Sequence, residues 1–312
     1  ILMPNSITLF GTMFFILTPI LLILLLRTFS IKTKILLEYP DERKQHNQPV
    51  PLLGGLVLFI SAMIFSALGL IEKELSRDIC FYLVFIIGIL DDMFELRYYI
   101  KLIMQILVSI LYVQSNIITA ANNHVINIIA TAAWFVVILN AFNLIDGING
   151  LLIGLSIIYA AFTGNFWLIL PLFVLLFFNM NEKTFMGDSG AFILAYIFIS
   201  SNSANMPTQL GALIVFFGYP IYEIVSSFLR RILMKRNPFR ADRYHLHYIG
   251  SEQFGLSAFL ILAYSLTLGF ILISSQKFNW LVYLGICIII FIYQLCFIFH
   301  TERMLKGDDG NF

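Results

Sequence analysis

The amino-acid sequence predicts an all-α integral membrane protein: a single polytopic domain over residues 1–312, with about 10–11 transmembrane helices, the N-terminus outside and the polar chemistry gathered on the cytoplasmic face. Three observations predict it. Sixty per cent of the 312 residues are hydrophobic and only 12% are charged, about half the charged fraction of a soluble domain, and the mean hydropathy is +0.89. Apolar runs of spanning length recur along the chain. Lys and Arg collect in alternate connections, as retention of basic loops on the cytoplasmic side requires.

A bilayer core of about 30 Å takes about 20 apolar residues per helix, and fewer where a helix ends inside a protein cavity. The first run, 7–26, is too long for a signal-peptide h-region and has no basic n-region, so it reads as a spanning helix. Runs 50–70, 99–116, 125–142 and 165–180 follow, and 208–229, 256–274 and 278–299 complete the C-terminal part. Three runs, 79–90, 148–163 and 189–201, are short, which suits helices with one end recessed in protein. Cys80, Cys287 and Cys296 all lie inside apolar runs with no CxxC pairing. They read as packed or lipid-facing small residues, giving neither a disulfide framework nor a thiolate metal site.

With the N-terminus outside, 16 of the 19 Lys and Arg fall in inside loops, leaving Lys73, Arg77 and Lys277 outside. The polar clusters then share the inner face: YPDERKQHNQPVPLLGG from Tyr39, DDMFELR from Asp91, NAFNLIDGING from Asn140, FMGDSG from Phe185 and NPFRADRYHLH from Asn237. Outer loops are nearly bare. Chemistry at one face fits an enzyme with a water-soluble substrate there, whereas a secondary transporter places polar groups at the midplane and on both sides. No internal repeat supports a transporter; an inactive scaffold is the remaining alternative.

Within the clusters, Asp91 and Asp92 end a short helix where the macrodipole is negative, so two adjacent acids need a compensating cation unless they are simply solvated. Asp188 and Asp146 each precede a helix, where an ordinary N-cap competes with metal ligation. Asn140, Asn143, Asp146 and Asn149 recur at a spacing of three, which lines amides and a carboxylate along one side, and oxygen ligands of this kind suit a hard cation such as Mg²⁺. The GDSG string lacks the triad and β-barrel context of a serine nucleophile. His245 and His247 alternate, which an extended segment places on one side, beside the most basic stretch of the chain, Arg230 to Arg243. Planar Arg donors next to imidazole suit a diphosphate or nucleotide anion, although membrane anchoring alone explains the basic count. Lys101 and Glu223 lie inside spans, where ionisable groups mark function by default. Snorkelling is the ordinary account of Lys101, and pairing with Arg230 that of Glu223.

With these residues in view, the chain resembles the polyprenyl-phosphate N-acetylhexosamine-1-phosphate transferases over nearly its whole length. The resemblance is carried by PDERKQH followed by PLLGG, the DD pair followed by LR and Lys101, NAFNLIDGING, FMGDSG, YPIYE with its RR, and FRADRYHLH. The ADRxHLH loop is closest to the bacterial branch that uses UDP-N-acetylglucosamine. What this implies is a multi-pass enzyme of the inner (plasma) membrane with its active site at the cytoplasmic face. It would use Mg²⁺, with Mn²⁺ as substitute, to join a UDP-sugar and undecaprenyl phosphate, release UMP and begin a cell-envelope glycan. Its partners would be the two substrates and the lipid bilayer, with no nucleic acid; a homodimer is compatible. By the same resemblance Asn143 and Asp188 are the Mg²⁺ ligands, Lys101 contacts the diphosphate, and Asp91 and Asp92 form the acidic pair near the attacking phosphate. Asp146 is a further acidic site residue, Arg243, His245 and His247 contact donor phosphate or sugar, and Lys44 and His46 contact phosphate. The chain departs from the bacterial pattern at Asn149, a substrate-site position where Asp is usual and the dolichol branch has Asn, and at Tyr248, where His is usual. A phosphomonoester with a second pKa near about 6 is mostly dianionic at neutral pH, so direct attack is expected, with Asp91 or Asp92 orienting the lipid phosphate or removing a residual proton.

Overall fold

The computed structural model describes residues 9–40, 48–201, 206–237, 242–276 and 279–308. Thirteen α-helices are found among them, in two compact units, Ile1–Met206 and Pro207–Phe312.

In the first unit α1 (Leu9–Thr33) leads into a two-residue antiparallel ribbon, β1 (Leu37–Glu38) with β2 (Val50–Pro51), in which Leu37 faces Pro51. Then come α2 (Gly54–Ala67), α3 (Ile79–Phe94), α4 (Tyr98–Tyr112), α5 (His124–Ile145), α6 (Leu151–Phe162), α7 (Ile169–Met180) and α8 (Gly187–Ile199). At the centre is α8, buried without a break from Ser189 to Ile199 and packed against α2, α3, α5 and α6. A helix apolar on every side belongs in such a core. It is short for the reason expected: protein, not lipid, surrounds it.

Close approach to α8 depends on glycine. A Cβ on Gly88 of α3 would lie 2.3 Å from Ser189 Cα, and one on Gly55 of α2 would lie 2.3 Å from Gly190 N. Small residues of this kind let membrane helices approach backbone to backbone. Polar side chains tie the ends. Tyr112 donates to the Ile199 carbonyl at 2.8 Å, and Asp78 caps α3 through the Cys80 N–H at 2.9 Å while accepting from Tyr196.

The second unit contains α9 (Leu210–Phe216), α10 (Gly218–Leu233), α11 (Leu246–Phe254), α12 (Leu256–Ser274) and α13 (Asn279–Asp308). The expected 208–229 crossing is in fact α9 and α10, bent by 93° at Phe217. Both faces of the bend are filled. Tyr283 donates to the Gly218 carbonyl at 3.0 Å, and a Cβ on Gly218 would meet the Phe270 ring at 2.6 Å. The nine-residue α11 falls in no expected run.

Among the described residues four helices are long and apolar enough to cross a bilayer, Gly11–Thr33, His124–Ile145, Leu256–Ser274 and Asn279–Thr301, and the bent pair makes a fifth. Most other expected runs are apolar helices of 10–17 residues. Large apolar side chains stand exposed along α1 (Leu17, Leu21, Leu25) and α13 (Trp280, Ile288, Ile292), as lipid-facing surfaces require.

Candidate active site

Asp91 and Asp92 are neighbours on a helix, so their side chains leave it about 100° apart and meet different partners. Asp92 turns to α8. Its carboxylate accepts the backbone N–H groups of Asp188 at 2.7 Å and Ser189 at 3.1 Å and the Ser189 hydroxyl at 2.5 Å. Gly187 provides the room: its φ is +69° and a Cβ there would lie 2.7 Å from the Asp92 carboxylate. The unpaired N–H groups and positive end of α8 thus compensate a carboxylate at the negative end of α3. Asp92 is a helix cap supplied from another helix, whereas the sequence pairs it with Asp91 at the attacking phosphate.

Asp91 turns to α4. A tight turn with Glu95 in the left-handed region reverses the chain, and the Leu96 N–H donates to Asp91 at 2.7 Å. The turn brings Lys101 into an ion pair with Asp91, and the ammonium lies 2.5 Å from Asp188 as well. Lys101 is therefore a bridge between two acids and does not snorkel.

Asn143 and Asp146 come from the last turn of α5. Asp146 is not an N-cap; it follows α5 as the C-cap, and α6 starts beyond it from Gly150. Its carboxylate accepts the Gly187 N–H, so Asp146 and Asp92 together cap α8. Burial pushes the Asp146 carboxyl well above its ordinary value, and the charges of Glu38, Asp188 and Asp92 add to the effect. Asp188 is likewise no N-cap: it lies in the first turn of α8, and its side chain bonds Asn143, Asp91 and Lys101. The spacing-of-three amides separate in space. Asn143 reaches Asp188, whereas Asn140 donates to Gln105 at 2.6 Å, tying α5 to α4. Asn149 sits in the turn between α5 and α6 with no described hydrogen bond to the cluster. Lys44 and His46 lie outside the described residues.

Supporting residues escaped the sequence reading. Buried Asn179 accepts the Gly150 N–H at 2.7 Å and donates to the Thr184 carbonyl at 3.4 Å. Thr184 donates to the Pro51 carbonyl at 3.0 Å, and the Gly54 N–H donates to the Phe185 carbonyl at 2.9 Å. PVPLLGG therefore clips the strand of chain that carries Asp188. A carboxamide at the end of the apolar run 165–180 was the available signal for Asn179.

In the second unit Glu223 is fully buried. It pairs with His247, Nδ1 at 2.9 Å, and not with Arg230. The backbone N–H groups of Leu246 and His247 also donate to it, at 3.3 and 3.0 Å, so Glu223 caps α11 much as Asp92 caps α8. His245 and His247 stack with ring centroids 5.2 Å apart, brought together by a helix start and not by an extended segment. Among the described residues these three are the group whose His, Cys, Asp or Glu ligand atoms all fall within 4.8 Å. Burial lowers the His245 imidazole's pKa, with Glu223 opposing. Arg243 is exposed and lies 5.5 Å from the Tyr248 ring.

Buried Arg230 makes a two-point contact with Asp242 at 2.8 and 2.9 Å, and Arg231 adds a third bond at 3.1 Å. Burial would raise the Asp242 carboxyl, but Arg230 and then Arg231 hold it well below the usual carboxylate range. A carboxyl depressed in this way contributes its full stability above about pH 4 and loses it as pH falls through the folded-state value. Asp242→Asn is expected to lower stability by about 3 kcal/mol, because it strands a buried guanidinium, and to flatten the wild-type loss of melting temperature below about pH 4. Thermal unfolding in detergent checks both; an unchanged Tm would show that Arg230 does not depend on Asp242.

Chemically, the first unit gathers Asp91 and Asp188 around one ammonium, with Asp92 and Asp146 at the start of α8 beside them and Glu38 close enough to act on Asp146. That excess of carboxylate, with the Asn143 carboxamide and neither thiolate nor imidazole in the set, fits a hard divalent cation. Residues 76–203, which carry the DD pair, the Asn143 segment and Asp188, match Glycosyl transferase family 4. The chain is 34% identical over 297 residues to the undecaprenyl-phosphate alpha-N-acetylglucosaminyl 1-phosphate transferase of Thermotoga maritima, covering 92% of this chain and 94% of that protein. It is 28% identical over 295 residues to the probable undecaprenyl-phosphate N-acetylglucosaminyl 1-phosphate transferase of Bacillus subtilis, 82% of this chain and 80% of that one. Against the Escherichia coli K12 undecaprenyl-phosphate alpha-N-acetylglucosaminyl 1-phosphate transferase the identity is 25% over 253 residues, 69% and 68% of the two chains. With an acidic cluster built from the matched segment and a relative this similar end to end, the chain belongs to glycosyl transferase family 4, among the undecaprenyl-phosphate N-acetylglucosaminyl 1-phosphate transferases.

Proposed function

We propose that the protein transfers a sugar 1-phosphate, N-acetylglucosamine 1-phosphate or a related N-acetylhexosamine 1-phosphate, from its UDP-sugar to undecaprenyl phosphate. The observation that carries this is the carboxylate cluster around Lys101, in a chain whose Thermotoga maritima relative bears that name. An oxygen of the lipid phosphate attacks the sugar-linked phosphorus, the bond to the UMP oxygen breaks, and UMP leaves with the electron pair. The whole chain acts as one transferase domain of the plasma membrane, with its site on the cytoplasmic face.

Both substrates are anions, so positive charge must offset their repulsion. Lys101 supplies one such charge and contacts the diphosphate. Asp188 and Asn143 would hold Mg²⁺, which when bound would supply Lewis-acid stabilisation of phosphate charge. Asp91, whose carboxylate reaches Lys101, orients the lipid phosphate or takes its residual proton. Asp92 and Asp146 act at one remove, by fixing the start of α8 on which Asp188 stands. Arg243, His245 and His247 contact the donor, and Asn149, being uncharged, serves in binding and not as an acid or base. Lys44 and His46 add phosphate contacts.

Membrane vesicles of known sidedness test this. UDP-N-acetylglucosamine added outside inside-out vesicles containing undecaprenyl phosphate is expected to yield UMP, right-side-out vesicles are expected to yield none, and EDTA is expected to abolish the reaction. UMP formation from right-side-out vesicles would reverse the orientation, and EDTA resistance would remove the cation. No UMP from any UDP-sugar would remove the activity, and transport without UMP would favour a transporter.

A further inference from the structure

An ionised carboxylate only accepts hydrogen bonds, so whatever faces Glu223 must donate. Among the described residues five groups face it: the N–H of Leu246 and of His247, the Tyr219 hydroxyl at 3.1 Å, Nδ1 of His247 at 2.9 Å, and Nδ1 of His245 at 3.7 Å. Nδ1 of His247 must therefore carry a proton. Arg231, also a pure donor, lies 3.5 Å from Nε2 of His245, which places the His245 proton on Nδ1 as well, where the Ser227 hydroxyl is 2.8 Å away. Arg230 and Arg231 both pair with Asp242. What remains is Nε2 of His247, buried and without a hydrogen-bond partner among the described residues. A bare buried acceptor costs free energy unless something completes it.

We propose that Glu223 is a positioning residue of the transferase reaction: it holds His247 as the Nδ1–H tautomer and thereby keeps the Nε2 lone pair ready to accept a hydrogen bond from a hydroxyl group of the UDP-sugar. The proposal rests on the transferase reading given above. Capping α11 accounts for only part of this arrangement, because Leu246 and His247 donate to different carboxylate oxygens and a glutamine oxygen at position 223 would still accept one of those N–H groups. The tautomer requires an acceptor facing Nδ1, since a glutamine whose amide nitrogen turns toward His247, leaving its oxygen on the Leu246 N–H, donates to Nδ1 and releases the proton to Nε2. The second nitrogen of a histidine is set by what the first one meets.

The test is ¹⁵N solid-state NMR of histidine-labelled protein in bilayers, with His247 assigned through the chain's one Leu–His pair, Leu246–His247. In the wild type Nδ1 is expected to be protonated and Nε2 bare. In Glu223→Gln the proton is expected on Nε2, with the KM for the UDP-sugar raised about tenfold, the loss of roughly one hydrogen bond, and kcat nearly kept. Glu223→Asp is expected to restore both in part. A wild-type spectrum with the proton on Nε2 overturns the proposal even if no variant folds, and so does a Glu223→Gln enzyme whose KM is unchanged while kcat falls with the folded fraction. Absence of UMP from the wild type overturns the transferase reading and this proposal with it. A wild type that turns over with the wrong tautomer overturns the proposal alone.

Discussion

Asp188→Ala is expected to lower UMP release by about 10²–10³-fold while leaving the protein folded. The magnitude is that of removing one group aimed at charge in a transferring phosphoryl group. Asp188 is where the cluster converges: its carboxylate meets Lys101 at 2.5 Å and bonds Asn143 and Asp91. Folding survives for a specific reason. What holds the start of α8 is the Asp188 backbone N–H on Asp92, at 2.7 Å, which alanine keeps. Initial rates of UMP release, with Tm measured beside them, check the prediction. Activity within tenfold of wild type would take Asp188 out of the chemistry, and a collapse of Tm would make it a folding residue instead.

Gly88→Val is expected to have the larger effect on stability. The first atom added would lie 2.3 Å from Ser189 Cα and 2.6 Å from Ser189 N. Both are backbone, in a helix buried on every side, and neither can step aside as a flexible side chain would. The helices α3 and α8 must separate, which in a packed core costs about 3 kcal/mol or more, or roughly 6–12 °C in Tm. Catalysis should fall in step, because α3 carries Asp91 and Asp92 to the site while α8 carries Asp188. Gly88→Ala should show a smaller loss in the same direction. A Val variant with wild-type Tm would show that α3 and α8 do not touch at this point in the membrane.

Much of this was legible before folding. Apolar runs located most of the helices because lipid punishes every unsatisfied backbone group, so composition alone marks them. Rarity also singled out candidates: in a chain with 12% charged residues, Asp91, Lys101 and Asp188 stood out, each against an ordinary account as a solvated helix end, a snorkelling lysine or an N-cap. The 93° bend at Phe217 was not legible. An apolar run reads the same whether straight or bent, and here the bend is lined by Tyr283 and Phe270, which are distant in sequence. Asn179 escaped because one carboxamide in an apolar run has no partner until Gly150 and Thr184 are brought to it.

The two aspartates mark the division most clearly. By itself the sequence determined that this is a membrane protein whose acids are gathered in a few polar segments, since residue types and their scarcity carry that information. It also placed Asp91 and Asp92 together. Only the tertiary structure decided that they part: Asp91 joins Lys101 and Asp188, while Asp92 closes the N-terminus of α8. The reason is physical. Adjacent residues on a helix point about 100° apart, and what each one meets depends on helices that arrive from elsewhere in the chain.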